Sequence, residues 1–349
     1  MSTLGIMIKN IFFLLMLTIL LPGYAGAAAL SLVDGEVHIL DFNQSGDPLE
    51  QLFGVMDASN VRGSWVMGVP LQKMWQEHAP QRPRAYESDD APVYYYSATD
   101  IIVANRIMGL PPEQRERLYP FICGFNPTDR NAINHIRLML ETYPGLWSGI
   151  GEVLTRHDAL TRLTYGETAR ADHPALDEVY KLAADRCLPV LLHSNITSNR
   201  EPDFIYLGEV ERAVAAHPNT TFIWAHAGCA ANIERRQHLE GLEIQVERLL
   251  EKYPNLSIML SWTLVSSYLL DGEGSPQREW LELVSRYPQR FMVGSDIVGR
   301  FEKIPPALEK VRTFLSALPL EVAEQVGSAN ALRMTDSRCL CADTASPAN

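Results

Sequence analysis

The chain has no block of Lys or Arg anywhere, and its formal charge is −12 over 349 residues. A surface that tracks a phosphate backbone needs the opposite sign, so the charge argues against a nucleic-acid partner. Cysteine is scarce, with five residues and no cluster at zinc-finger spacing. No Gly-x-Gly-x-x-Gly follows the first predicted strand, which argues against a doubly wound dinucleotide fold, and no Gly-x-Ser-x-Gly stands in the chain to serve a serine hydrolase. The apolar run at the N-terminus, Ile11 to Leu21, is eleven residues long, short of the roughly 20 that a membrane-spanning helix needs.

That run follows Lys9, is broken by Pro22 and Gly23, and precedes a small-residue Ala25-x-Ala27 site. Residues 1–27 therefore read as a secretory signal peptide. The expectation is a periplasmic or secreted protein with no stable membrane insertion after cleavage. No Cys follows the run to carry a lipid. Residues 28–335 read as one folded domain and 336–349 as a flexible tail holding the Cys339 and Cys341 pair, which an oxidising compartment could close only as a strained ring. Cys123, Cys187 and Cys229 lie in or beside apolar runs and read as small buried core residues.

With 46% hydrophobic and 21% charged residues, the chain can bury a large core. Short β-rich runs recur at about Leu32–Leu40, Gly63–Val69, Tyr119–Phe125, Trp147–Val153, Leu188–His193, Thr221–His226, Leu256–Trp262 and Arg290–Asp296. Amphipathic segments lie between them, including Asn131–Thr142, His173–Arg186, Tyr206–His217, Leu239–Tyr253, Gln277–Tyr287 and Pro305–Ser316. Several helices run into proline just before the next strand, at Pro144, Pro218, Pro254 and Pro288. Eight alternations of strand and helix predict an α/β fold, a (β/α)8 TIM barrel. The gap from Pro70 to Leu118 is an extended loop and helix insertion after the second strand, placed to cover the mouth of the barrel.

The first predicted strand, VDGEVHILDF from Val33, is unusual. Val33, Gly35, Val37 and Ile39 read as one buried face, while Asp34, Glu36 and His38 point the other way. Other strands also end in ionisable residues: Glu152 in GIGEV, His193 in PVLLHSN, His226 in IWAHAG and Asp296 in MVGSD. In a barrel Glu36 and His38 converge with these four, six groups in all, at the C-terminal mouth. Burying them unpaired would cost several kcal/mol each, about the penalty that a bound divalent cation removes. Imidazole with carboxylate suits zinc, manganese or iron, and a cation there lowers the pKa of a water toward about 7 for a nearby carboxylate to deprotonate. Hydrolysis is the default reaction class.

Those residues carry a resemblance. From the first strand to the closing NALRM segment, Asn330 to Met334, the chain resembles the amidohydrolase superfamily, in the amidohydrolase-related branch of metal-dependent hydrolases and decarboxylases. The resemblance implies that His38, His193 and Asp296 touch the metal, that Asp296 is also the general base, and that His226 sits beside the reacting oxygen. Glu36 stands where the family has the first His of His-x-His. A carboxylate remains an acceptable ligand and shifts preference toward manganese or iron, although zinc is the first expectation. Glu152 either approaches the metal or orients neighbouring loops. Arg156, His157, Trp262 and Lys73 are candidates for substrate binding, with Ser261 and Trp75 as further candidates for lining the pocket.

The leading expectation is an exported metal-dependent hydrolase of a small-molecule amide, ester or lactone, compatible with a homo-oligomer. A nonoxidative metal-dependent decarboxylase is the alternative, since the same ligand set serves both. A metal-free binding barrel is the third, motivated by Glu36.

Overall fold

The structure, a computed structural model, describes residues 30–84 and 89–335. The signal-peptide reading and the Cys339 and Cys341 pair lie outside the described residues. Among those described, no helix is long and apolar enough to cross a membrane.

The eight staves are Leu32–His38, Val61–Met67, Leu118–Ile122, Gly149–Thr155, Val190–Ser194, Phe222–Ala225, Leu256–Leu260 and Phe291–Val293. Each pairs in parallel with the next in chain order. The eighth is interrupted at residues 294–296 and resumes at Ile297–Val298, which pairs with the first strand. The Gly294 N–H donates to the Leu260 carbonyl at 3.1 Å and the Asp296 N–H to the Glu36 carbonyl at 2.8 Å. This interruption closes a (β/α)8 barrel and turns Asp296 into its mouth.

The helices form where apolar residues fall on one stripe. Ala132–Thr142 buries Ala132, Ile133, Ile136 and Met139, and Leu242–Lys252 buries Leu242, Val246, Leu249 and Leu250. Each stops short of its proline, Pro144 or Pro254. Inside the barrel, Val33, Trp65, Phe121, Leu191, Met259 and Met292 form a separate core, with Trp65 stacked on Phe121 at 4.8 Å. The helix Asn330–Thr335 adds Ala331 to that core. Its Asn330 amide donates to the carbonyls of Pro288 and Phe291 at 2.7 and 2.6 Å, anchoring the start of the eighth strand.

Three expectations are corrected. The first strand does not keep a single alternation: Val33 packs in the inner core, whereas Val37 and Ile39 pack in the outer one. The register shifts between Asp34 and Val37, and that bulge exchanges the two faces. The insertion after the second strand begins with a hairpin, Leu71–Lys73 against Val93–Tyr95, and its helical part splits into Thr99–Met108 and Pro112–Arg115 at Pro111 and Pro112. Cys123 and Cys229 are free and buried, but Cys187 is half-buried and disulfide-bonded, so it is no core thiol. It follows the helix Asp177–Asp185 in a surface turn with φ +50°.

Candidate active site

The GIGEV glycines set the fourth strand. A Cβ on Gly149 would lie 2.2 Å from the Phe121 ring, and one on Gly151, at φ +138°, would lie 2.4 Å from the Leu191 carbonyl oxygen. Only bare backbone lets this strand pass so close to its neighbours while delivering Glu152 to the mouth. The HAG turn is similar. His226, Ala227 and Gly228 have φ of +38°, +50° and +71°, and a Cβ on Gly228 would meet the Ile196 nitrogen at 2.6 Å. Asp296 is also left-handed, at φ +52°. Non-glycine residues in that region are strained, and here they carry the polar groups of the mouth.

The structure brings all six ionisable strand-end residues together. Glu152 lies at the centre, with Oε1 2.9 Å from His193 Nδ1 and Oε2 3.2 Å from His38 Nε2. His38 Nε2 is also 3.4 Å from Asp296 Oδ1, while its Nδ1 bonds the Gly68 carbonyl at 2.9 Å. His226 Nε2 lies 3.1 Å from His193 Nδ1, and the His226 ring meets Trp262 edge-on at 5.2 Å. Glu36 accepts the Ser261 hydroxyl on Oε2 at 2.6 Å, and its Oε1 is buried with no partner.

Burial, reinforced by Asp296 and Glu152, holds the Glu36 carboxyl well above the usual carboxylate range. Burial works against the Glu152 charge too, but His193 and His38 outweigh it and hold Glu152 well below that range. Burial alone would lower the His38 imidazole; its bonds to Asp296 and Glu152 raise it well above the ordinary value. His226 is held well below, by burial and then by His193. Asp296 is raised by burial, with His38 opposing and Glu152 adding.

These residues fit a divalent cation. Glu36, His38, Glu152 and Asp296 offer ligand atoms within 4.8 Å of one another, as do Glu152, His193 and His226. The orphaned Glu36 Oε1 and three convergent carboxylates call for a positive partner.

The mouth opens into a cavity of about 350 Å³ whose walls include Phe42, Leu154, Leu160, Trp262 and Val298. Phe42, Leu154 and Leu160 pack with Leu71 and Val93 of the hairpin, so the insertion braces this wall. Of the four substrate-binding candidates, His157 and Trp262 line the cavity, and the His157 ring stacks on His193 at 4.5 Å. Arg156 is elsewhere: its Nε donates to Glu209 at 2.8 Å, and its guanidinium lies 4.1 Å over the Tyr206 ring. Lys73 is buried against Asp89 at 2.7 Å, Trp75 is 59% exposed, and neither lines the cavity. Ser261 serves the site by holding Glu36.

Sequence reasoning missed Arg235 and Lys303, two cations on the cavity lining. Arg235 follows the short helix Ala231–Glu234 in a charged run that reads as ordinary solvated surface. It also passed over Asp34, buried under the site, whose Oδ1 accepts the Ser295 N–H at 2.7 Å. The even-numbered face of the first strand carried that signal.

Comparison with known proteins bears on the whole barrel. The amidohydrolase family pattern matches residues 128–335, more than half of the chain. No curated protein matches. Among solved structures, the chain is similar to an uncharacterised TIM-barrel protein from Bordetella bronchiseptica, with TM-score 0.53 and 15% identity over 87% of this chain and 98% of that one. It is similar to a structure described as amidohydrolase II, with TM-score 0.53 and 14% identity over 87% and 99% of the two chains. A third is 5-carboxyvanillate decarboxylase from Novosphingobium aromaticivorans, complexed with manganese and a nitrobenzoic acid, with TM-score 0.51 and 11% identity over 89% and 97%. At these identities the likeness speaks for the fold.

Proposed function

This chain belongs to the amidohydrolase family, and from that premise we propose that it is an exported metal-dependent hydrolase of a small-molecule amide, ester or lactone. The observation that carries the reading is the buried convergence of Glu36, His38, Glu152 and Asp296, with the Glu36 Oε1 orphaned, at a cavity of about 350 Å³ that His38, Glu152 and Asp296 line together with His193. Glu36, His38, Glu152 and Asp296, whose donor atoms converge, would hold the cation, and His193, expected from sequence as a ligand of the same ion, converges instead with Glu152 and His226. Zinc is the first expectation, with manganese or iron suited by the carboxylates. A divalent ion bound there lowers the pKa of water toward about 7 and polarises an acyl oxygen.

The side chains supply the rest. The Gly68 carbonyl accepts from His38 Nδ1 and fixes the ring with Nε2 turned toward Glu152 and Asp296, where it would ligate a cation that displaced its proton. Asp296 is the general base: burial raises its carboxylate toward working pH, where a base combines a free lone pair with useful proton affinity. His226, kept neutral by burial, lies beside His193 against Trp262. Phe42, Leu154, Leu160, Trp262 and Val298 give the cavity an apolar wall beside the polar cluster. Export is supported by the Cys187 disulfide, which suits an oxidising compartment.

A nonoxidative decarboxylase is the second reading. What favours it is the pair of cations, Arg235 and Lys303, on the cavity lining, where a substrate carboxylate could be held. The test is a screen of esters, lactones, amides and aryl carboxylates with the full chain reconstituted with metal, alongside Asp296→Asn. The variant should lower the chemical step by about 10²- to 10⁴-fold with its fold intact. Carbon dioxide release would select the second reading. Turnover by strictly metal-free protein, or near-wild-type turnover by the variant, would sink the mechanism.

A further inference from the structure

We infer that the protein carries a second small-molecule site outside the barrel mouth, a cavity of about 410 Å³ that takes a small organic cation of the alkylammonium class. The cavity is assembled from the hairpin strand Val93–Tyr95, the chain just after the third barrel strand, the start of the helix Ala132–Thr142, and the segment at Thr164 and Tyr165. Val93 lines it, and the same side chain packs with Phe42, Leu154 and Leu160, part of the apolar wall of the mouth cavity. The two cavities therefore lie on either side of that wall, and among the described residues they share no lining side chain. A buried pair fixes one side of the new cavity. Asp100 accepts the Cys123 and Gly124 N–H groups at 2.9 and 2.8 Å, and its Oδ2 lies 2.7 Å from Nε2 of the lining residue His135. Gly124 permits that approach, since a Cβ there would lie 2.8 Å from Asp100 Oδ2.

The chemistry of the lining selects the ligand. Asp100 answers His135, and among the described residues no Lys or Arg stands on the cavity, so Asp129 is the charge left over. Its Oδ1 accepts the Asn131 N–H at 2.9 Å and the Asn131 side-chain amide at 3.2 Å, both neutral donors. Four aromatic rings share the lining: Phe125 is buried, Tyr95 is half-buried, and Tyr94 and Tyr165 are 42% and 77% exposed. Trp75, Tyr94 and Tyr165 are the large aromatic side chains left exposed among the described residues, and two of those three stand on this one cavity. The face of an aromatic ring is negative and attracts a cation within about 6 Å, most strongly an ammonium that sheds its water easily. An anion would meet Asp129 with no cation to offset it, and a neutral ring would leave Asp129 unanswered. The formal charge of −12 further raises the local concentration of cations. The Tyr95 hydroxyl is buried without a partner, so this lining residue also leaves a polar group for a ligand to satisfy. The inference does not depend on the hydrolase reading.

The test is calorimetric titration of the full chain, once reconstituted with metal and once treated with chelator, with three probes: choline, its uncharged isostere 3,3-dimethylbutan-1-ol, and glucose as a neutral polyol. Choline should bind saturably, alike in both preparations, and about 10-fold or more tightly than the isostere. Tyr165→Ala and Asp129→Asn lie at exposed positions, so both variants should keep the wild-type melting temperature. Each should weaken choline by about 2- to 5-fold, and the double variant by about 10-fold. No choline binding, isostere or glucose binding as tight as choline, or an unchanged choline affinity in the double variant overturns the inference. Choline binding that disappears on chelation overturns it as well, because the probe would then sit in the barrel mouth. All of these outcomes leave the hydrolase reading standing, since that reading is tested by metal-dependent turnover.

Discussion

Gly151→Ala is the sharpest probe of how the site is delivered. The added methyl group would stand 2.4 Å from the Leu191 carbonyl oxygen and 2.9 Å from Leu191 Cβ, on the strand that carries His193, and the residue would have to keep φ at +138°. Neither contact is with the far end of a flexible side chain, since one atom is backbone and the other a Cβ, and Leu191 is fully buried in the inner core. Strained backbone at a non-glycine residue costs about 1–3 kcal/mol, and overpacking a filled core costs a similar amount, so the expected loss is about 2–6 kcal/mol. At roughly 2 °C per kcal/mol for a domain of this size, the melting temperature should fall by roughly 4–12 °C. The fourth and fifth strands must part to relieve the clash, which moves Glu152 away from His193. Metal affinity should then fall by about 10- to 100-fold, as when a ligand loses its support. Thermal unfolding followed by circular dichroism, with Mn²⁺ titration of the folded variant, measures both. A melting temperature within about 1 °C of wild type and an unchanged affinity would refute the claim that this glycine positions the site.

Three other outcomes are expected. Burial pushes the Asp34 carboxyl up to about 6, above its unfolded value of about 3.9, so the folded state binds that proton more tightly and stability is lost as pH rises from about 4 through about 6. Asp34→Asn removes this loss: its unfolding free energy relative to wild type, measured by urea titration with chelator present, should rise by roughly 3 kcal/mol between pH 4 and pH 8, and a pH-independent difference contradicts the assignment. Arg156→Ala leaves the buried Glu209 carboxylate without its guanidinium and should destabilise the fold by about 3 kcal/mol with little change in KM; a raised KM at unchanged stability would place Arg156 in substrate binding instead. Glu36→His exchanges an anionic oxygen donor for a neutral nitrogen and should move preference from Mn²⁺ toward Zn²⁺ in matched titrations, whereas identical selectivity in both proteins means that Glu36 makes no metal contact.

Much of this was legible in the chain itself because the signals are local. A strand's period of two, a helix's period of 3.6 and the prolines after Tyr143, His217, Tyr253 and Tyr287 each act over a few residues, and together they specify a (β/α)8 barrel. Once the fold is a barrel, polar residues at strand ends must meet at its mouth, so Glu36, His38, Glu152, His193, His226 and Asp296 could be gathered without coordinates. What needed the tertiary structure is everything set by closure and register. Ser261 reaches Glu36 across 225 residues of sequence, and the bulge near Gly35 exchanges the faces of the first strand. Arg156 looked like a mouth residue but is held by Glu209, 53 positions away, while Arg235, in an unremarkable charged run, came to line the cavity. The two groups of converging donor atoms that share Glu152 depend on which way each carboxylate oxygen points. Side-chain period cannot encode that direction, because it arises only when neighbouring strands are packed against one another.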